Sequence, residues 1–177
     1  IGTLGTVTVS GNGPIALPTL FSRSGSGKAG LYPATAEVSA PAGSRVTDVK
    51  LHIHHLDHER SYDIDALLVS PDGKRMLPMS DAGGYDVLDA DITQTDSAEN
   101  ALPDTAPLFG GEFRPANYGA TLDKFPSPAP KKPYQSSFSA LRGSPAAGTW
   151  QLFIYDDASR AFGSIGAWEL EIQYAQP

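Results

Sequence analysis

Apolar and polar residues alternate along several short runs of the chain. Segments 5–10 (GTVTVS), 34–39 (ATAEVS) and 46–53 (VTDVKLHI) alternate in this way or are rich in Val, Ile and Thr, as half-buried strands require. Two further runs, 64–70 (IDALLVS) and 74–79 (KRMLPM), flank Pro71-Asp72-Gly73, a turn that predicts a hairpin. Pro78 predicts an edge position for the second run, because proline cannot donate to a ladder. The clearest strands are 150–156 (WQLFIYD) and 167–174 (AWELEIQY), joined by a Gly-rich connection and expected to pair or to face each other. In the latter, Trp168, Leu170, Ile172 and Tyr174 fall on one face and Glu169, Glu171 and Gln173 on the other. One side is therefore core and the other wet, which is sandwich patterning.

Between about 97 and 137 periodicity disappears and prolines accumulate, from Pro103 to Pro133. A loop that long in a compact domain is packed or functional. Phe109, Phe113, Tyr118, Phe125 and Tyr134 are expected to pin it to the sandwich.

Composition narrows the class. The 177 residues fit one domain able to bury a core without staples, and 18 Gly with 15 Pro argue against long helices. A formal charge of −7, with no basic cluster beyond the short Lys131-Lys132 pair, excludes nucleic acid as the expected partner. No apolar run approaches the roughly 20 residues that span a bilayer, and Ile1 in place of Met fits a chain that was processed or cut from something larger. The absence of cysteine excludes a disulfide framework, a thiolate metal site and a Cys nucleophile.

Candidate chemistry is mostly acidic. Asp63, Asp65, Asp81, Asp86, Asp89, Asp91, Asp96, Asp156 and Asp157 cluster at the proposed loops. Such oxygens suit a hard cation, and calcium takes six to eight of them. The expected ligands are Asp63, Asp65, Asp81, Asp96 and Asp156, with backbone carbonyls near Gly83 and Gly84. The competing reading is that these residues cap turns and bond neighbouring backbone N–H groups. A second cluster, His52-Ile53-His54-His55-Leu56-Asp57-His58, has the composition of a zinc site, with His52 and His54 on one strand face and His58 in the following loop. It differs from the HxHxDH box of metallo-β-lactamase-like hydrolases by one inserted residue. Neither a G-x-S-x-G elbow nor a subtilisin-type serine motif occurs, so no nucleophile is expected. Trp150 and Trp168 read as core; Tyr32, Tyr85, Tyr118 and Tyr134 are the better platforms for a sugar ring.

Three stretches taken together resemble the P domain (P/Homo B domain) that accompanies subtilisin-like proprotein convertases. LDHERSYDIDALLVSPDG at 56–73 is similar to the family's His, Asp-hydrophobic-Asp, apolar strand and Pro-x-Gly turn. GTWQLFIYDDASRAFGSIGAW at 148–168 is similar to its Gly-x-Trp strand, Asp-containing loop and second Trp. LPMSDAGG at 77–84, TQTDSA at 93–98 and FRPANYG at 113–119 resemble the bacterial secreted branch. The resemblance implies an all-β jelly-roll β-sandwich with galactose-binding-domain-like topology over residues 31–177. Residues 1–30 fall outside it and are expected to be a leader or an extra edge strand.

The expected function is that of a non-catalytic, secreted or cell-surface accessory module, stabilising an adjacent protease or other domain of its parent protein and binding calcium. The alternatives are a module that binds carbohydrate or a protein surface, and a zinc-dependent hydrolase using His52 to His58.

Overall fold

The computed structural model describes residues 2–119 and 123–177, and Ile1 and residues 120–122 of the Pro-rich segment lie outside the described residues. Two six-stranded sheets pack face to face as an all-β jelly-roll sandwich, with no α-helix among the described residues. The first sheet contains β1 (Leu4–Ser10), β2 (Ile15–Leu17), β5 (Arg45–His58), β8 (Val87–Gln94), β9 (Gly111–Phe113) and β12 (Gly163–Ala175), in the order β1-β12-β5-β8-β9 with β2 also on β12. The second contains β3 (Gly27–Lys28), β4 (Ala34–Val38), β6 (Ile64–Val69), β7 (Arg75–Ser80), β10 (Ala116–Asn117) and β11 (Gly148–Asp156), in the order β10-β7-β6-β11-β3 with β4 also on β11. No helix of the described residues is long and apolar enough to cross a membrane.

Alternation along each strand builds the core. Trp168, Leu170 and Ile172 on β12 meet Trp150, Leu152 and Ile154 on β11 across the sandwich, so these two runs face each other from different sheets rather than pair. Both tryptophans are fully buried, and each indole N–H finds a carbonyl: Trp150 donates to Ala146 and Trp168 to Asn12. Residues 2–30 contribute β1 and β2 to one sheet and β3 to the other, and Ile15 and Leu17 belong to the core.

Strand β6 is buried along its whole length, which simple alternation does not explain. Ile64, Ala66 and Leu68 face the main core; Leu67 and Val69 face outward, into a second core with Leu77, Phe153, Phe125 and Ala129. The Pro-rich segment supplies that cover. The hydroxyls of Tyr32, Tyr134 and Tyr118 donate to the carbonyls of Pro126, Pro130 and Leu102, and Phe125 stacks edge-on against Tyr134. Phe109, expected among the pins, is 72% exposed.

The expected hairpin forms: β6 and β7 pair antiparallel across Pro71-Asp72-Gly73. Pro78, however, is buried and not on an edge. The β6–β7 register shifts between Ala66 and Leu68, so Leu77 and Pro78 together oppose Leu67, and the bulge absorbs the missing N–H.

Candidate metal centre at one end of the sandwich

A row of polar residues crosses the outer face of the second sheet, because Asn117 on β10, Ser80 on β7, Asp65 on β6 and Tyr155 on β11 are cross-strand neighbours in register. The pleat that sends Leu67 and Val69 into the second core sends Asp65 to the same side, at its end. Asp81 follows Ser80 with φ at 51°, a left-handed conformation that turns the chain out of β7. Asp123 closes the group from the loop that covers this face. Among the described residues, Asp65, Asp81 and Asp123 form the one triad of metal-competent groups whose ligand atoms lie within 4.8 Å of one another.

The Ser80 hydroxyl sits among all three, 2.8 Å from Asp65 Oδ1, 2.9 Å from Asp123 Oδ1 and 3.3 Å from Asp81 Oδ2. A hydroxyl has one proton, so it satisfies one of these oxygens at a time. Asn117 Nδ2 donates to Asp123 Oδ2 at 2.8 Å, while its own Oδ1 is buried with no partner among the described residues. Burial pushes the Asp65 carboxyl up to about 8, against the pull of the Ser80 hydroxyl and with help from Asp81. Asp81 is pushed up to about 6 by burial and by the charges of Asp157 and Asp123. Carboxylates crowded and desolvated in this way are stabilised by a positive charge, and a donor set of oxygens alone, with no imidazole or sulfur, fits a hard cation.

The other expected ligands fall elsewhere. Asp63 lies in the 3-10 turn Ser61–Asp63 and Asp156 at the end of β11; burial, with the Asp156 charge, pushes Asp63 up to about 6. Asp63 Oδ2 is buried with no partner among the described residues. Asp156 Oδ2 meets His58 Nε2 at 2.9 Å, and its Oδ1 accepts from the Ala158 N–H. Asp96 is not part of this end: it accepts from Ser137 Oγ and the N–H groups of Phe138 and Ser139, tying down the 3-10 turn Phe138–Leu141. Asp123 was not among the expected ligands, since nothing in its Pro-rich surroundings predicts which strand it covers.

The histidines do not converge. His52 and His54 lie on the open face of the first sheet, their rings 6.4 Å apart, each against its own carboxylate: Glu171 at 3.3 Å and Glu169 at 2.8 Å. At His54 and His55 two residues of β5 oppose one of β8, and His55 takes φ of 54°. This bulge reverses the parity of the strand, so His58 points inward although it shares the even numbering of His52 and His54. His55 is exposed, and Asp89, 2.6 Å away, raises its pKa.

No family model and no curated protein matches the chain. Among solved structures it is similar to the Aeromonas sobria serine protease crystallised in complex with a chaperone, at a TM-score of 0.50 and 15% identity, covering 100% of this chain and 28% of that one. The crystal structure of the serine protease of Aeromonas sobria gives 0.48 and 14%, over 98% and 27%. At these identities the likeness is one of fold, and the chain spans little more than a quarter of the length of those proteins.

Proposed function

We propose that the chain is a non-catalytic accessory module of an exported protein, appended to a subtilisin-like serine protease, that stabilises its neighbour and is itself stiffened by calcium. Asp65, Asp81 and Asp123 hold the ion, with Asn117 Oδ1 as a further oxygen. The observation that carries this reading is the enclosure of one hydroxyl proton by three carboxylates, on strand β6, just past the end of β7 and on a long loop, whose mutual repulsion a divalent cation relieves. Bound there, calcium would tie the loop that seals the second core to the strands beneath it, and an ion held only by the folded form adds stability by mass action.

The link to a protease rests on the resemblance of 56–73 and 148–168 to the P domain. These two stretches come together in the fold through His58 and Asp156, and the chain adopts a fold seen within a bacterial serine protease. A non-catalytic role is supported by the separation of the histidines, each engaged by a different acid. Deleting this segment from the full-length parent protein should lower the yield of folded, protease-resistant neighbour, and chelation of calcium should reproduce part of that loss. An undiminished yield of the neighbouring domain would overturn the proposal.

A further inference from the structure

Eight large hydrophobic side chains are exposed among the described residues, and four of them, Tyr62, Tyr85, Leu88 and Phe162, line a single groove of about 620 Å³. Clustering of this kind marks a binding surface, whereas the same residues scattered singly would mean nothing. The four come from three segments of the chain, tied to one another by hydrogen bonds. The Ser61 N–H, beside Tyr62, donates to the Tyr85 carbonyl at 2.8 Å; Glu59 N–H donates to the Phe162 carbonyl at 3.2 Å, and Glu59 Oε2 accepts from the Phe162 N–H at 3.3 Å. Leu88 stands on β8, between the inward-facing Val87 and the bulge at Asp89. The groove is therefore preformed and need not be ordered by its occupant.

Its charge is one-sided. Asp57, Glu59 and Asp86 share the lining with one cation, Arg60, and Asp86 is exposed. Aromatic faces with carboxylates beside them suit a cationic side chain on an aliphatic stem: the stem lies on Leu88 and Phe162, the charge is met by the acids, and a guanidinium stacks on a tyrosine. We infer that this groove binds a basic peptide segment, one that presents an arginine or lysine next to a hydrophobic residue, as an interaction surface separate from the aspartate triad. Of the four tyrosines suited to a sugar, Tyr32, Tyr118 and Tyr134 spend their hydroxyls on the long loop, and Tyr85 is the exposed one. A single platform ringed by acids favours the cationic peptide over a neutral glycan.

The test is fluorescence anisotropy with a fluorescein-labelled Ala-Arg-Leu-Arg-Ala peptide, its Ala-Glu-Leu-Glu-Ala counterpart, and maltoheptaose as competitor. Expected is saturable binding of the arginine peptide alone, weakened about tenfold by Tyr85→Ala and by Asp86→Asn, weakened by salt, and untouched by Leu4→Ser at a distant exposed site. Because the substituted side chains are exposed, unchanged melting of the variants separates lost binding from lost folding. No saturable binding, equal affinity for the glutamate peptide, indifference to Tyr85→Ala and Asp86→Asn, or displacement by maltoheptaose would each overturn the inference. The ion is tested by melting and the groove by peptide binding, so either can fail alone.

Discussion

His58 on one sheet and Asp156 on the other meet at 2.9 Å, with side chains 0% and 1% exposed, and so close one end of the sandwich. Nδ1 of the same imidazole lies 2.8 Å from the Arg60 carbonyl, which fixes the ring. Removing one partner of such a buried pair leaves the other desolvated and unmatched. His58→Ala should cost about 3–5 kcal/mol in a denaturant titration, and the double variant with Asp156→Ala should cost less than the sum of the singles. Additive losses would mean the contact contributes nothing of its own.

Asp96 separates a structural acid from an ion-holding one. It accepts from two backbone N–H groups and a serine hydroxyl at the start of a 3-10 turn, so Asp96→Ala should lower stability by about 1–2 kcal/mol, in the range of lost caps. Its calcium affinity, read by isothermal titration calorimetry, should equal that of the native protein, whereas Asp65→Asn should abolish binding. A matching loss in both variants would place Asp96 at the ion after all.

Gly11 packs flat against the indole of Trp168, and its N–H donates to the Trp168 carbonyl at 2.9 Å. A Cβ at this position would overlap the ring. Gly11→Ala should therefore displace the end of β1 or the indole, cost about 1–3 kcal/mol, and shift tryptophan emission. An unshifted spectrum with native stability would show that β1 yields without resistance.

The pH dependence follows from Asp65. Its carboxyl is pushed up to about 8 in the folded protein by burial, from 3.8, so between those values the folded state holds a proton that the unfolded chain does not. The associated stability is fully present below the lower value and is lost as pH rises through the upper one. Asp63 and Asp81, both pushed up to about 6, act in the same direction over a narrower window. The calcium-free protein should melt progressively lower between about pH 5 and pH 8, and the difference between native and Asp65→Asn should carry most of that slope. Calcium must displace the proton, so its affinity should tighten over the same range. A flat difference curve would contradict the placement of the proton on Asp65.

The strands with clean alternation were legible from the sequence: β12 shows its core face in Trp168, Leu170 and Ile172 without any structure. Strand β8 was not, because Asp89 and Asp91 read as loop acids; they stand on the outer side of a bulged strand whose inward residues are Ala90, Ile92 and the buried Gln94. His58, expected in a loop after the strand, instead ends β5, and the bulge at His54 and His55 turns its side chain to the core. Asp65 and Asp81 could be named from the sequence because they border strands with readable patterns. Asp123 could not, because its position depends on how a loop without periodicity folds over β6, a tertiary packing decision made by Phe125 and Ala129.

Calcium-dependent melting tests the central claim most directly. At a hundredfold excess over its dissociation constant, an ion held only by the folded state adds about 2.7 kcal/mol, which for a domain of this size raises the melting temperature by roughly 5–10 °C. The native protein should show that rise in calcium relative to EGTA, and Asp65→Asn and Asp123→Asn should not. Identical melting in calcium and EGTA, or a rise that persists in both variants, would contradict the account.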